Sequence, residues 1–206
     1  MKRGPLALLS FFTIALCLAC YRFLDQPTAL FFATVDYTTK HIFDLITSLG
    51  SSVPYLAVAA AGFVFFRFIL KKKLPANVFL FLFVAIVVSG LVNDLIKLLV
   101  GRSRPGLFIT QGTWGFKPLV RQYEYASFPS GHANTIAALC YGLNVVTGRF
   151  KYILPVIALT VMASRVVLEA HFLSDVLFGA YLGVVVTEVV AAGFERKGLQ
   201  IRIGKH

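Results

Sequence analysis

The sequence has few acidic residues and few cysteines, and both shortages limit the classes of protein to which it can belong. Only 9 of its 206 residues are Asp or Glu, against 20 Lys and Arg, so the formal net charge is +11 at pH 7. The three cysteines, Cys17, Cys20 and Cys140, all lie inside apolar runs, where a thiol acts as a small hydrophobic group. We therefore expect neither a disulfide framework nor a cysteine-based zinc site. The chain also has no internal repeat and no low-complexity tract.

Charged residues of both signs are scarce in the chain as a whole. They make up 14% of the sequence, whereas 58% is hydrophobic, and the mean hydropathy is +0.79. This composition is too apolar for a soluble domain of this length and predicts one polytopic membrane domain over residues 1–206. In a soluble protein the positive charge would indicate nucleic acid binding. Here the cations form short clusters between apolar runs, which is typical of membrane topology, so we expect no nucleic acid partner.

Six apolar runs are candidates for transmembrane helices, because about 20 residues cross the ~30 Å hydrocarbon layer as a helix. They cover residues 4–21, 45–66, 74–93, 130–148, 152–168 and 172–194. The predicted fold class is therefore an all-α bundle with about six transmembrane helices. The first run could instead be a lipoprotein-type signal ending before Cys20. However, Cys17 stands where such signals usually have leucine, which favours a retained helix.

The distribution of positive charge predicts an orientation for this bundle. With the N-terminus in the cytoplasm, 12 of the 20 Lys and Arg fall on the cytoplasmic side and 8 on the outer side. This bias predicts a cytoplasmic N-terminus. Because the chain is short and its loops are compact, we expect a protein of the bacterial inner membrane whose outer side faces the periplasm.

Polar residues interrupt the apolar pattern at three places. Lys97 ends the third run, His132 begins the fourth, and the junction of the fifth and sixth holds Arg165, His171 and Asp175. Ionisable residues at such positions are costly and usually functional. Because the helices cross the membrane in alternating directions, all three places fall on the outer side, where we expect them to form one site.

The charges in this group indicate a site for an anion. Lys97, Arg104 and Arg165 would repel a metal cation unless carboxylates outnumbered them. The nearby acids are only Asp94, Glu124, Glu169 and Asp175. We therefore expect no metal and no cofactor. The guanidinium fork suits phosphate oxygens in particular, and lysine adds a point charge.

The stretch "PSGH" at residues 129–132 begins an apolar run and fits the N-terminus of a helix. Ser130 is a good N-cap, and Gly131 lets the backbone approach a ligand closely. The free N–H groups and positive dipole end of such a helix attract phosphate, with His132 in the first turn beside it. Ordinary helix capping explains this short stretch equally well when it is taken alone.

The second histidine favours a catalytic interpretation. His171 and Asp175 are four residues apart and share one helix face if the helix begins near Phe172. The carboxylate could then accept a hydrogen bond from one ring nitrogen and leave the other as a nucleophile. His132 would be the general acid for the leaving oxygen. Either histidine alone is more often structural, but two of them beside three cations indicate an active site.

These residues match a known pattern. "KLLVGRSRP", "PSGH" and "SRVVLEAHFLSD" together resemble the tripartite signature of the type 2 phosphatidic acid phosphatase superfamily. The signature extends from Lys97 to Asp175, and the chain before it contributes only hydropathy. The positions that match are Lys97, Arg104, Pro105, Pro129, Ser130, Gly131, His132, Ser164, Arg165, His171 and Asp175. The soluble vanadium haloperoxidases share this core, but the apolar chain resembles the lipid phosphatase branch.

The resemblance implies a metal-independent phosphatase that acts on a lipid through a phosphohistidine. His171 would attack phosphorus, Asp175 would orient it, and His132 would protonate the leaving alkoxide. Lys97, Arg104, Ser130, Gly131 and Arg165 would hold the phosphoryl oxygens. Membrane lipids would be the partners. Family substrates include phosphatidylglycerol phosphate, undecaprenyl diphosphate, phosphatidic acid and lipid A 1-phosphate, and the aromatic segment 107–128 is expected to choose among them.

Two alternatives remain open at this point. A phosphotransferase would pass the phosphoryl group to another lipid with the same residues. A non-catalytic lipid-phosphate binder or transporter would have no need of a nucleophile with its own carboxylate, and this chain keeps both. Arg102, Asp94 and Glu169 receive no firm role, although Arg102 could add an auxiliary contact to the phosphate.

Overall fold

The computed structural model describes residues 3–203, with side chains from residue 7 onward. Within this part of the chain the structure is helical, and its only β pairing is an isolated bridge between Arg102 and Phe116. The predicted all-α class is therefore confirmed. The α-helices are α1 (Arg3–Ala19), α2 (Asp25–Ala33), α3 (Tyr37–Thr47), α4 (Ser52–Val64), α5 (Lys73–Val100), α6 (Pro105–Gln111), α7 (Gly131–Thr147), α8 (Ile153–Val167) and α9 (Leu173–Arg196).

Four helical stretches of the described chain are long and apolar enough to cross a membrane. They are Ala7–Ala33, Tyr37–Ile69, Lys73–Val100 and Leu173–Arg196. The predicted number of six is not confirmed, because α7 and α8 have 17 and 15 residues, fewer than the ~20 that a straight crossing needs. Large apolar side chains such as Phe11, Phe12 and Leu91 remain exposed on the bundle surface, as expected for a protein surrounded by lipid.

The first helix is longer than the sequence pattern predicts. The predicted helix ends at Tyr21, but a π-helical segment, Cys20–Leu24, joins α1 to α2 without a break in the spiral. Pro27 lies three residues after this π-helical segment, and such local π turns allow a continuous helix to accommodate a residue that has no N–H group. The extension brings Asp25 into the bundle, where it is completely buried.

Close packing between α7 and α9 fixes the position of the start of α7 relative to the start of α9. Gly179 and Gly183 are separated by one turn of α9 and face the backbone of α7. A Cβ atom at Gly179 would lie 2.5 Å from the carbonyl oxygen of Ser130, and one at Gly183 would clash with that of Asn134. Such pairs of small residues allow helix backbones to approach in membranes. The start of α7 is therefore held against the start of α9.

The half of the bundle away from the signature residues has a conventional apolar core. Phe81 and Ala85 of α5 pack with Val146 of α7 and Ala191 of α9, and Ile201 closes the cluster from the C-terminal segment. At the opposite end the same three helices carry the polar signature residues. The fold therefore separates a packed apolar half from a polar half that holds the candidate site.

Candidate active site

The structure brings the three signature segments together at one end of the bundle. The charges of Lys97 (α5), Arg104 and Arg165 (α8) act on both His132 and His171. The segment 123–129 lies between them and supplies backbone carbonyl groups to the cations and to His171. The expected grouping at the helix ends is therefore present in the described chain.

His171 is buried in the short loop between α8 and α9. Its Nδ1 atom lies 2.7 Å from the carbonyl oxygen of Ser127. Because a carbonyl oxygen can only accept, the Nδ1 atom carries the proton and Nε2 keeps its lone pair. Burial lowers the pKa of His171 well below its usual value, and the positive charges of Arg104, Lys97 and Arg165 lower it further. The ring is therefore neutral at pH 7.

The expected hydrogen bond between Asp175 and His171 is absent. The His171 Nδ1 and Asp175 Oδ2 atoms are 3.9 Å apart, which is too far for a hydrogen bond. The i, i+4 argument fails because α9 begins at Leu173, so His171 precedes the N-cap residue Phe172. Asp175 instead caps the helix: its Oδ2 atom accepts from the Phe172 N–H at 2.9 Å. The same atom accepts from the Ser127 hydroxyl at 2.5 Å, so Asp175 acts on His171 through Ser127.

Lys97 and Arg104 are held by backbone carbonyl groups. The Lys97 ammonium donates to the carbonyl oxygens of Pro129 and Ala126. The Arg104 guanidinium donates to those of Tyr123, Ala170 and Ala126, at 2.8, 2.6 and 3.2 Å. An ammonium has three N–H donors and a guanidinium has five, so one donor on Lys97 and two on Arg104 remain for an anion.

Arg165 carries a buried donor without a protein partner. One terminal nitrogen donates to the Thr47 hydroxyl of α3 at 2.6 Å, whereas Nε is buried and has no hydrogen-bond partner among the described residues. A buried unpaired donor costs about 1–3 kcal/mol. A phosphoryl oxygen at this position would remove that cost.

The start of α7 has the geometry expected of an anion cradle. Ser130 is completely buried as the N-cap, where its hydroxyl accepts from the Ala133 N–H at 3.5 Å and its own N–H donates to the carbonyl oxygen of Asp175 at 3.0 Å. The following N–H groups, of Gly131 and His132, lie at the positive end of the helix, where no intrahelical partner exists. The His132 ring packs against Gly50, since a Cβ atom there would lie 2.6 Å from the ring.

Two residues without a firm predicted role make other contacts. Glu169 forms an ion pair with Lys40 of α3, with Nζ and Oε1 2.6 Å apart. Arg102 is buried in ion pairs with Asp25 and Asp175. Its guanidinium therefore binds these two carboxylates instead of making the auxiliary phosphate contact that the sequence suggests. Asp25 is absent from the predicted site, because it lies beyond the predicted first run, between Arg22 and Pro27, where no motif marks it.

The aromatic segment borders the site and also packs the fold. Trp114 stacks on Tyr21 with ring centres 5.1 Å apart, and the Tyr123 ring centre lies 3.9 Å from the Arg104 guanidinium. A cavity of about 490 Å³ separates this segment from the end of α5, and Lys97, Arg121 and Tyr123 are among its lining residues. The cavity is large enough for a polar headgroup beside Lys97.

Known proteins share both the sequence pattern and the fold. The family model of the PAP2 superfamily matches residues 78–198. The lipid A 1-phosphatase of Rhizobium johnstonii is 29% identical over 174 residues, which cover 80% of this chain and 71% of that protein. Phosphatidylglycerophosphatase B of Bacillus subtilis is 33% identical over 166 residues, which cover 74% and 73%.

Two solved structures have the same arrangement of helices. The transmembrane PAP2-type phosphatidylglycerolphosphate phosphatase from Bacillus subtilis superposes with a TM-score of 0.66 at 27% identity, covering 93% of this chain and 96% of that one. LpxE from Aquifex aeolicus superposes with a TM-score of 0.58 at 20% identity, covering 85% and 94%, and this likeness concerns the fold alone. Because the family match covers more than half of the chain and agrees with the geometry of the site, this protein belongs to the PAP2 superfamily and is an integral membrane phosphatase of that family.

Proposed function

We propose that the protein hydrolyses a phosphorylated lipid headgroup at the outer face of the membrane through a phosphohistidine on His171. One observation carries the mechanism: the His171 Nδ1 atom is fixed on the Ser127 carbonyl oxygen, which leaves the Nε2 lone pair on a neutral ring among three cations. A neutral imidazole is the nucleophilic form.

The reaction needs two steps. In the first, the Nε2 atom of His171 attacks phosphorus and the bond to the lipid oxygen breaks. Burial and the three cations lower the pKa of His132 to about 4, so His132 takes up its proton when the anionic headgroup offsets these charges, and then donates it to that oxygen. In the second, His132 removes a proton from water as the water attacks phosphorus, the P–N bond breaks, and inorganic phosphate and free His171 result.

Cationic side chains supply the charge stabilisation that other phosphatases obtain from metal ions. The remaining donors of Lys97 and Arg104 and the unpaired Nε of Arg165 would bind the phosphoryl oxygens, together with the Gly131 amide and the Ser130 cap. Fixed donors of this kind stabilise the transition state because they need no reorganisation during the reaction.

The substrate is a membrane lipid because the site lies at the end of a lipid-exposed bundle. Acyl chains can stay against exposed apolar side chains such as Leu91 and Leu95 while the headgroup enters the cavity beside Lys97. Relatives named for lipid A 1-phosphate and phosphatidylglycerol phosphate make these two lipids the first to test. The bias of Lys and Arg supports a site on the periplasmic side of the inner membrane.

The test measures phosphate release by the protein purified in detergent, with a chelator present. The lipids are phosphatidylglycerol phosphate, lipid A, phosphatidic acid and undecaprenyl diphosphate. We expect at least one to be hydrolysed and His171→Ala to lose at least ~10³-fold in rate. His41→Ala, which removes a histidine of α3 that lies against Tyr37, is the matched control and should keep full activity.

Three outcomes would contradict the proposal. Activity that disappears with the chelator would indicate a required metal. An active His171→Ala variant would exclude the phosphohistidine. Transfer of label from one lipid to another without phosphate release would identify the protein as a phosphotransferase.

A further inference from the structure

The first membrane helix places a carboxylate behind the nucleophile. Asp25 is completely buried, and its carboxylate accepts hydrogen bonds from Ser174 at the start of α9 and from Arg102. Its Oδ1 atom accepts from the Ser174 N–H at 3.0 Å. Its Oδ2 atom accepts from the Ser174 hydroxyl at 2.5 Å and from Arg102 at 2.8 Å.

Arg102 joins this carboxylate to the one at the site. One terminal nitrogen donates to Asp25 and the other to the Oδ1 atom of Asp175 at 2.5 Å. The guanidinium carbon lies 4.4, 4.9 and 5.0 Å from the ring centres of Phe172, Trp114 and Tyr21. These rings shield the ion pairs from water. The fixed planar fork of arginine is what allows one side chain to span two carboxylates.

The contacts continue from Asp175 to His171 through Ser127. The Ser127 hydroxyl donates to the Asp175 Oδ2 atom at 2.5 Å, and the Ser127 N–H donates to the Arg102 carbonyl oxygen at 3.1 Å. The Ser127 carbonyl oxygen in turn accepts from the His171 Nδ1 atom at 2.7 Å. Arg102 therefore holds Ser127 twice, directly through its backbone and indirectly through Asp175.

We propose that Asp25 and Arg102 are positioning residues for the nucleophile. They fix Asp175, Asp175 and Arg102 fix Ser127, and the Ser127 carbonyl oxygen fixes the tautomer and the plane of the His171 ring. The inference rests on the proposed role of His171 as the nucleophile. We call this series of contacts, from Asp25 through Arg102, Asp175 and Ser127 to His171, the buried relay.

Loss of a contact in the buried relay should lower the catalytic rate of the folded protein, which loss of an ordinary structural ion pair would not do. Neither Asp25 nor Arg102 is among the groups assigned to the phosphoryl oxygens, so their loss should leave binding of the lipid unchanged. A nucleophile displaced from its reactive position loses rate, because a misplacement of about 1 Å can cost roughly 100-fold. A purely structural pair would reduce the amount of folded protein and leave the rate of the folded molecules unchanged.

The experiment compares Asp25→Asn, Arg102→Lys, Ser127→Ala and the double variant Asp25→Asn/Ser127→Ala. Glu188→Gln is the control, because Glu188 is a partly buried carboxylate of the same helix as Asp175 that accepts from the Tyr141 hydroxyl at 2.8 Å. Folded protein is quantified from the monodisperse fraction in detergent. The kcat and KM of that fraction are then measured with phosphatidylglycerol phosphate and with lipid A in micelles.

We expect each single relay variant to lower kcat about 10- to 100-fold with little change in KM, and Glu188→Gln to match the unmodified protein. The kcat of the double variant should be no lower than that of its less active parent, because both changes break the same series of contacts. A folded Asp25→Asn protein with normal kcat would overturn the proposal, and so would effects that multiply in the double variant.

Two further comparisons keep the test decisive. If Asp25→Asn yields no folded protein, Arg102→Lys and Ser127→Ala are judged by the same criteria, and a normal kcat in Ser127→Ala alone overturns the proposal. His171→Ala is assayed in parallel. An active His171→Ala variant would contradict the proposed function itself, whereas an inactive one beside fully active relay variants would contradict only the relay.

Discussion

The chain before Lys97 and the signature core from Lys97 to Asp175 contribute to the site in different ways. The core contains every group that we assign to the phosphoryl transfer. The first region contributes side chains or backbone that hold members of the core in place. The contacting pairs are Asp25 with Arg102, Lys40 with Glu169, Thr47 with Arg165, and Gly50 with His132.

The core therefore supplies the reacting groups, whereas the first region orients them. Signature residues lie at helix ends, where short motifs fix both their identity and their depth in the membrane. The residues of the first region have no motif in the sequence and acquire a role only through packing. Changes in the core should therefore remove reaction steps, whereas changes in the first region should weaken steps that remain available.

Replacement of His132 should have a larger effect than any change in the first region. We expect His132→Ala to lower kcat about 10²- to 10⁴-fold on lipid substrates, because the leaving alkoxide then receives no proton. With p-nitrophenyl phosphate the loss should be much smaller, since p-nitrophenolate leaves without protonation. Rates on the two substrate classes check this assignment, and an equal loss on both would argue against His132 as the general acid.

A change at Gly50 tests how far the first region controls a core residue. A Cβ atom at this position would lie 2.6 Å from the His132 ring, so Gly50→Ala must displace the ring. We expect kcat to fall by about tenfold or more on lipid substrates, by the same sensitivity to misplacement. Gly193→Ala is the control, because an added Cβ there meets nothing within 4 Å. Equal kcat values for the two variants would show that α3 and α4 do not constrain His132.

Loss of the Thr47 hydroxyl should have a moderate effect. Thr47→Val removes the 2.6 Å hydrogen bond that holds the Arg165 guanidinium, which costs about 1 kcal/mol. The expected result is a rise in KM of about fivefold, because Arg165 is assigned to the bound phosphoryl group and 1.4 kcal/mol corresponds to tenfold. Thr47→Ser keeps a hydroxyl and should restore the original KM. A pair of variants with the same KM would show that Thr47 does not position Arg165.

The smallest expected effect is that of weak acid on the protonation of His171. Burial and three nearby cations lower the pKa of His171 well below 6.5, so the neutral nucleophile persists as the pH falls through that value. NMR of histidine-labelled protein in detergent, assigned with His171→Ala, should show a neutral His171 ring at pH 6.5. Arg165→Met should raise the pKa of His171 because it removes one repelling charge. Titration of the ring at or above 6.5 would contradict the assigned environment.

The sequence predicts the site residues better than it predicts their contacts. Lys97, His132 and His171 could be grouped because alternating helices bring their ends to one side of the membrane. The partner of Asp175 could not be predicted, because it depends on α9 beginning at Leu173 rather than two residues earlier, at His171. A shift of two residues in a helix start changes a side chain from a neighbour of His171 into a cap.

The role of the first region was beyond sequence patterns for a related reason. The extension of the first helix through α2 buries the carboxylate of Asp25, which Arg102 and Ser174 stabilise from other segments. Asp25 and Arg102 are 77 positions apart in the chain, and no local pattern relates them. Thr47 and Gly50 likewise have ordinary local sequences, and only the packing of α3 beside α8 and α7 gives them their roles.

The most direct test of the central claim is to trap the phosphorylated enzyme. The protein is mixed with lipid carrying a labelled phosphoryl group and quenched in alkali, in which a phosphohistidine is stable. The labelled peptide is then identified by mass spectrometry. We predict label on His171, no label in His171→Ala, and slower labelling in Asp25→Asn. Label on another residue, or phosphate release by an enzyme that is never labelled, would contradict the phosphohistidine mechanism.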